Sequence, residues 1–272
     1  MKIKFYGTRG STPVSDSNYQ EFGGNTSSVL VTLNSGQNII FDAGTGIRQL
    51  GNDLIANEHS HDLSIVLSHT HWDHIQGFPF FSPAYLNKIK ILIAICGLDN
   101  QCTDLYSIFS TQMQTEYFPV QLEKMGATFE FFQPVTNKYT GPYGNKWEFY
   151  KHNHPGGAYS YRLMADDKIF VYCSDIEHGA KIDSNVVSLA RDADLLIHDA
   201  QYTPAELPLK SGWGHSSYEQ AVEVAIQANV KKLILFHHDP DHNDEFLLNI
   251  ERECQSIYTN SIFARDGMEL EI

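Results

Sequence analysis

The feature that most constrains this chain is a run of four metal-seeking side chains within six residues, His69-Thr70-His71-Trp72-Asp73-His74. It follows a short apolar stretch, Leu63 to Leu67, that reads as a strand. The donors lack the one-turn spacing of a helical HExxH site. They can surround a metal pair only if the backbone leaves the strand in a tight loop. Imidazole and carboxylate are the usual ligands of zinc, manganese and iron.

The surrounding pattern predicts a layered α/β protein. Strand-like runs cover Lys2 to Tyr6, Ser28 to Leu33 and Gln37 to Phe41, and the first helical spacing covers Ile47 to Ala56. Further strands are expected at Ile89 to Ile95, Thr128 to Phe132, Lys146 to Tyr150, Tyr159 to Met164 and Lys168 to Cys173. Residues Asp99 to Met125 read as mixed, with helices. The last third alternates: helix Asp183 to Arg191, strand Asp194 to His198, helix Ser216 to Ala228, strand Lys232 to Phe236, helix Asp244 to Tyr258 and a closing strand Met268 to Ile272. Ser216 with Glu219 three residues on reads as the helix start. Early strands followed by strand–helix alternation predict two sheets flanked by helices, with 1–272 as one domain. Chemistry-bearing residues recur just after strand ends, where layered α/β folds commonly build sites.

The run around His69 resembles the HxHxDH signature of metallo-β-lactamase-fold hydrolases, and the resemblance extends over nearly the whole chain. Upstream, Asp42 in Phe41-Asp42-Ala43-Gly44 is similar to that family's strand-end Asp-Ala-Gly. Downstream, His154 before Pro155-Gly156-Gly157, Asp175 after Cys173-Ser174 and His237 after Leu235-Phe236 occur in the family's order. The resemblance implies an αββα sandwich of two mixed sheets. It implies two divalent ions per chain, zinc or manganese, with iron an option. His69, His71 and His154 would hold one ion, Asp73, His74 and His237 the other, and Asp175 would bridge them. Asp42 would accept a hydrogen bond from a ligand imidazole and fix its tautomer. Read from residues alone, His154 could be a turn residue and Asp42 could close a strand-end turn. His238, adjacent to His237, is a rival ligand.

Three features bear on the branch. His71 stands where flavodiiron electron-transfer members carry glutamate, which favours hydrolysis. Gly214-His215-Ser216-Ser217 is similar to the Gly-His-Ser-Thr loop of tRNase Z-like phosphodiesterases, with Ser217 departing from threonine. Tyr159 to Arg162 resembles the Gly-Tyr-Arg strand of the same branch. The resemblance implies that His215 contacts phosphate or passes a proton to the leaving oxygen, and that Asp73 belongs to the catalytic set. Asn25 and His178 are candidate substrate contacts, each with a loop-structural alternative.

Charge then bears on substrate. The chain carries 33 acidic and 19 basic residues, a formal net charge of −14. Such a field repels polyphosphate at long range. No basic, Gly-rich arm suited to clamping tRNA is evident, nor is a cysteine-rich zinc-binding insertion. The expected partner is therefore a small, nucleotide-like or cyclic phosphodiester, and large nucleic acids are argued against. The nearest resemblance is to a bacterial-type phosphodiesterase subgroup beginning like Tyr6-Gly7-Thr8-Arg9-Gly10-Ser11. The competing readings are a tRNase Z-like RNA endonuclease, a hydrolase of a carboxylic ester, lactone or thioester, and a metal-dependent sensor without turnover. Residues 78–146 are expected to shape substrate access, and a homodimer is an option.

The four cysteines, Cys96, Cys102, Cys173 and Cys254, form no CxxC pair and read as free thiols of a reducing compartment. No signal peptide or membrane-length apolar run is evident, which predicts a cytoplasmic protein without a membrane partner.

Overall fold

The computed structural model describes residues 1–57, 62–96, 104–134, 136–141 and 143–272. Cys102 and residues 99–103 of the stretch expected to be mixed lie outside them.

Two seven-stranded sheets form the centre. The first contains β1 (Lys2–Gly7), β2 (Ser28–Thr32), β3 (Asn38–Phe41), β4 (Asp62–Leu67), β5 (Lys90–Ile95), β6 (Thr128–Phe132) and, at the β1 edge, β14 (Glu269–Glu271). The second contains β7 (Lys138–Thr140), β8 (Lys146–His152), β9 (Ala158–Ala165), β10 (Lys168–Cys173), β11 (Leu195–Asp199), β12 (Leu233–Phe236) and β13 (Ser261–Phe263) in sequential spatial order. Both sheets are mixed. In the first, β3 to β6 run parallel and in the second, β10 to β13 do. Of the three three-residue strands, β7 and β13 were not anticipated, because neither is long enough to show a period.

The inner faces interdigitate through aromatic residues. Phe41 lies 5.2 Å from Phe170 and 5.1 Å from Tyr172, ring centre to ring centre. Phe5 contacts Phe236, and Tyr161 packs against Phe41 and Phe149. All of these sit within one apolar core. The second core lies between the second sheet and three helices, α4 (Ser184–Ala190), α5 (Tyr218–Gln227) and α6 (Asp244–Ile257). Helices α1 (Ile47–Ala56) and α3 (Leu105–Gln112) attach to the first sheet. This is the expected αββα sandwich. The start of α5 differs by one residue from expectation. Ser217, not Ser216, is the N-cap: its hydroxyl accepts from Gln220 N, and Gln220 reaches back to Ser217 N. Ser216 is diverted to a bond with the Ile176 carbonyl.

Parallel pairing is what positions the site. It aligns the carboxyl ends of β3 with β4 and of β10, β11 and β12 with one another, so residues just past those ends gather at one rim. The sheets are tied there by polar bonds. Tyr161 Oη donates to the Leu67 carbonyl at 2.6 Å, and Tyr159 N donates to the Ser68 carbonyl at 3.0 Å. Among the described residues, no helix is long and apolar enough to cross a membrane. Cys96, Cys173 and Cys254 are buried free thiols.

Candidate metal centre

Asp42 leaves β3, and Ser68 and His69 leave β4. Asp175 follows β10, Asp199 ends β11 and His237 follows β12. Asp42, Asp175 and His237 all adopt left-handed backbone, with φ of 61°, 57° and 64°. That conformation is uncommon outside glycine and persists where surrounding structure over-determines it. At each of these strand ends it turns the chain sharply. The run after His69 turns into the single helical turn α2 (Trp72–Ile75), which places Asp73 and His74 inside while Trp72 points out.

Two donor sets result. His69, His71 and His154 form one, with His154 Nε2 3.0 Å from His71 Nδ1. Asp73, His74, Asp175 and His237 form the other. Asp175 faces both: its Oδ1 lies 3.2 Å from His74 Nε2 and 3.3 Å from His237 Nε2. Its Oδ2 lies 3.7 Å from His69 Nε2 and 3.9 Å from His154 Nε2. Its two oxygens thus face different donor sets.

The far nitrogens explain why the near ones point inward. His74 Nδ1 donates to Asp42 Oδ2 at 2.8 Å, His154 Nδ1 to the Gly214 carbonyl at 2.8 Å, and His237 Nδ1 to Gln201 Oε1 at 2.9 Å. His69 Nδ1 contacts Ser68 Oγ at 3.1 Å. In the neutral ring each contact takes the proton at Nδ1 and leaves Nε2 to face the centre as a donor to metal. His69 Nε2 is buried without a hydrogen-bond partner. Burial and the neighbouring His74 hold that imidazole well below its ordinary pKa, so its lone pair is available. An orphaned nitrogen aimed at carboxylates suits a cation between them. The donor set therefore fits divalent metal. Burial works against charge on Asp73 and Asp175, yet the surrounding imidazoles outweigh it and keep both carboxyls well below the usual range.

Asp42 is fully buried and accepts from Ser68 N at 2.7 Å and Tyr172 Oη at 2.7 Å besides His74. His215 joins the centre from the loop before α5. Its Nδ1 donates to Asp199 Oδ2 at 2.8 Å, and its ring lies 5.0 Å from that of His237. Burial disfavours the imidazolium, but Asp199 more than compensates and raises the pKa to about 9.

The rival ligand is placed elsewhere. His238 Nε2 donates to the Ala264 carbonyl at 2.8 Å, and its ring stacks on Phe263. Two candidate substrate contacts are otherwise engaged. Asn25 spans Asp266 Oδ2 at 3.0 Å and Thr45 Oγ1 at 3.2 Å, bracing its loop. His178 Nε2 meets His198 Nε2 at 3.2 Å, and its Nδ1 accepts from Asp183 N. With both nitrogens taken, His178 does not reach the cluster. Sequence reasoning missed Asp199, Gln201 and Ser11, whose backbone N–H donates to Asp73 Oδ2 at 2.7 Å. The position of Asp199 at the end of an apolar strand beside those of Asp175 and His237 was the available clue.

The family model described as Beta-lactamase superfamily domain matches residues 37–238. The chain belongs to that family. A ribonuclease Z of Picrophilus torridus is 26% identical over 315 aligned residues, covering 100% of this chain and 96% of that protein. The crystal structure of the metallo-β-lactamase fold protein YhfI from Bacillus subtilis superposes with a TM-score of 0.75 at 20% identity, covering 100% and 98%. Human tRNase Z, short form, gives a TM-score of 0.72 at 19% identity, covering 100% and 99%. The two structures show the same fold. The resemblance to the tRNase Z-like branch stands. These relatives overturn the argument against large nucleic acids, since a protein similar along the whole chain is named a ribonuclease. The physical reason is that net charge sums the entire surface, whereas recognition depends on the local field, which a bound cation inverts.

Proposed function

We propose that the chain is a metal-dependent phosphodiesterase that cleaves RNA, a tRNase Z-like endonuclease. The observation that carries the catalytic half is Asp175, whose two oxygens face two separate donor sets. RNA as substrate is supported by the full-length similarity to ribonuclease Z proteins. Two divalent ions, zinc or manganese with iron as a third option, would be held by His69, His71 and His154 and by Asp73, His74 and His237, with Asp175 shared. Bound there, they would supply Lewis acidity toward phosphoryl oxygens and acidify water.

The chain's own residues would do the rest. Asp73, fixed by Ser11 N and kept ionised, accepts a hydrogen bond from the attacking water. His215 gives Nδ1 to Asp199, which leaves its Nε2–H for the departing alkoxide. Removing a general acid of this kind typically costs about 10²- to 10⁴-fold in rate.

The test is cleavage of a structured RNA of tRNA type by metal-loaded wild-type, Asp73→Ala and His215→Gln proteins. The expected result is loss of turnover in both variants, with His215→Gln retaining its metal. Undiminished cleavage by Asp73→Ala, or by chelated wild type, refutes the proposal.

A further inference from the structure

The segment Gly212-Trp213-Gly214 displays a tryptophan instead of burying it. Trp213 is 58% exposed, yet its backbone is held from both sides. Gly212 N and Gly214 N each donate to the carboxylate of Glu177 at 2.9 Å. The two glycines have φ of 83° and 91°, which bulges the intervening residue outward. Glu177 is itself tied down, its backbone N donating to the Asn153 carbonyl at 2.9 Å.

The same segment borders the metal centre. Gly214 accepts the hydrogen bond from His154 Nδ1 at 2.8 Å, and His215 follows directly. A cation accompanies the indole: Lys210 Nζ lies 4.4 Å from the Trp213 ring and 5.7 Å from that of Tyr202. Tyr202 in turn sets its ring edge-on to His215 at 5.8 Å. The arrangement is a preformed aromatic surface with a lysine beside it, at the rim of the centre.

The lock holds the Gly214 carbonyl for His154, but the exposure of the indole on it has no account in folding, because the ring gains little burial there. It does reduce the entropy lost when a flat ligand docks. Single-stranded RNA is recognised by stacking splayed bases on aromatic rings, with nearby cations drawing the phosphates. We propose that Trp213, with Lys210 beside it, is a stacking subsite for a nucleobase of the RNA adjoining the scissile phosphate. The inference rests on the RNA-cleaving reading above.

The experiment measures Kd by fluorescence anisotropy on metal-loaded protein, with a labelled phosphorothioate oligoribonucleotide that resists cleavage. Melting temperature and metal content confirm that each variant is folded and loaded. Trp213→Ala should weaken binding about tenfold, within the range of one base–aromatic stack. Trp213→Phe, which keeps a π-face, should stay within about threefold of wild type. Lys210→Ala should lower the slope of affinity against salt by about one. Leu209→Ala, removing a neighbour that is 84% exposed but has no ring, should bind as wild type. Wild-type affinity in Trp213→Ala, or an equal loss in Leu209→Ala, overturns the subsite while leaving RNA cleavage intact. A wild-type protein that neither binds nor cleaves RNA removes the functional reading and the subsite together.

Discussion

Replacing Asp42 by asparagine should impair metal binding through a tautomer change rather than through lost contacts. Asp42 is fully buried and accepts from Ser68 N at 2.7 Å, His74 Nδ1 at 2.8 Å and Tyr172 Oη at 2.7 Å. Asparagine keeps the shape and one acceptor oxygen, which can serve Ser68 N. Its amide group then faces His74 Nδ1 and Tyr172 Oη. The phenol can rotate and accept, but His74 Nδ1 must become an acceptor too. The ring proton then moves to His74 Nε2, 3.2 Å from Asp175 Oδ1 and 3.3 Å from Asp73 Oδ2. A protonated Nε2 cannot ligate a metal. Partners of this kind are typically worth about 10- to 100-fold in metal affinity, or about 1.4 to 2.7 kcal/mol. Asp42→Ala would be harsher, since four buried donors, the Ser68 hydroxyl among them, lose their acceptor at about 1 to 3 kcal/mol each. Chelator-competition titration of zinc into metal-free wild-type and Asp42→Asn protein measures the effect. The Asp73–His74–His237 site should lose affinity while the other changes less. Unchanged affinity at both sites would refute the claim that Asp42 sets the His74 tautomer.

Two other perturbations follow from the same geometry. A Cβ on Gly214 would lie 2.0 Å from His154 Nδ1 and 2.5 Å from Pro155 Cδ, at a φ of 91°; Gly214→Ala should therefore displace His154, and metal analysis should find the His69–His71–His154 position depleted. His152 is buried with Nε2 donating to the Asp175 carbonyl at 3.0 Å, and burial lowers its pKa to about 4. A folded-state pKa below the unfolded value means that the unfolded chain takes up protons first as pH falls. The stability associated with neutral His152 is thus complete above pH ~6.5 and is lost progressively toward pH ~4, by on the order of 2 to 3 kcal/mol at pH ~4.5. Urea unfolding of metal-free protein should show this acid sensitivity, and His152→Gln should lose less stability over the same interval; parallel curves would contradict it.

The legible part of this protein was the part with local pattern. The apolar run Leu63 to Leu67 marked β4, and the clustered donors after it marked the site floor. His237 and His238 could not be separated with certainty by inspection, because the choice depends on a left-handed turn at His237 that sends the next side chain to Phe263. Asp199 and Gln201 went unnoticed because a single polar residue after an apolar strand has no signature of its own. It acquires meaning only when β10, β11 and β12 align in parallel beside it. Ser216 and Ser217 are indistinguishable as caps by composition, and the bond from Ser216 to the Ile176 carbonyl decided between them. Asn25 and His178 lie close in sequence to functional motifs, yet their hydrogen bonds run to Asp266, Thr45, His198 and Asp183. The acidic balance pointed away from RNA because a formal charge of −14 says nothing of where the basic and aromatic residues sit.

The most direct test of the central claim is cleavage of a tRNA-type precursor by protein stripped with chelator and then titrated with zinc or manganese, with bound metal counted at each step. The account predicts no cleavage without metal and full cleavage as occupancy approaches two ions per chain. Two bound ions and turnover of a simple diester such as bis-p-nitrophenyl phosphate, with the RNA left intact, would contradict the assignment of RNA as substrate.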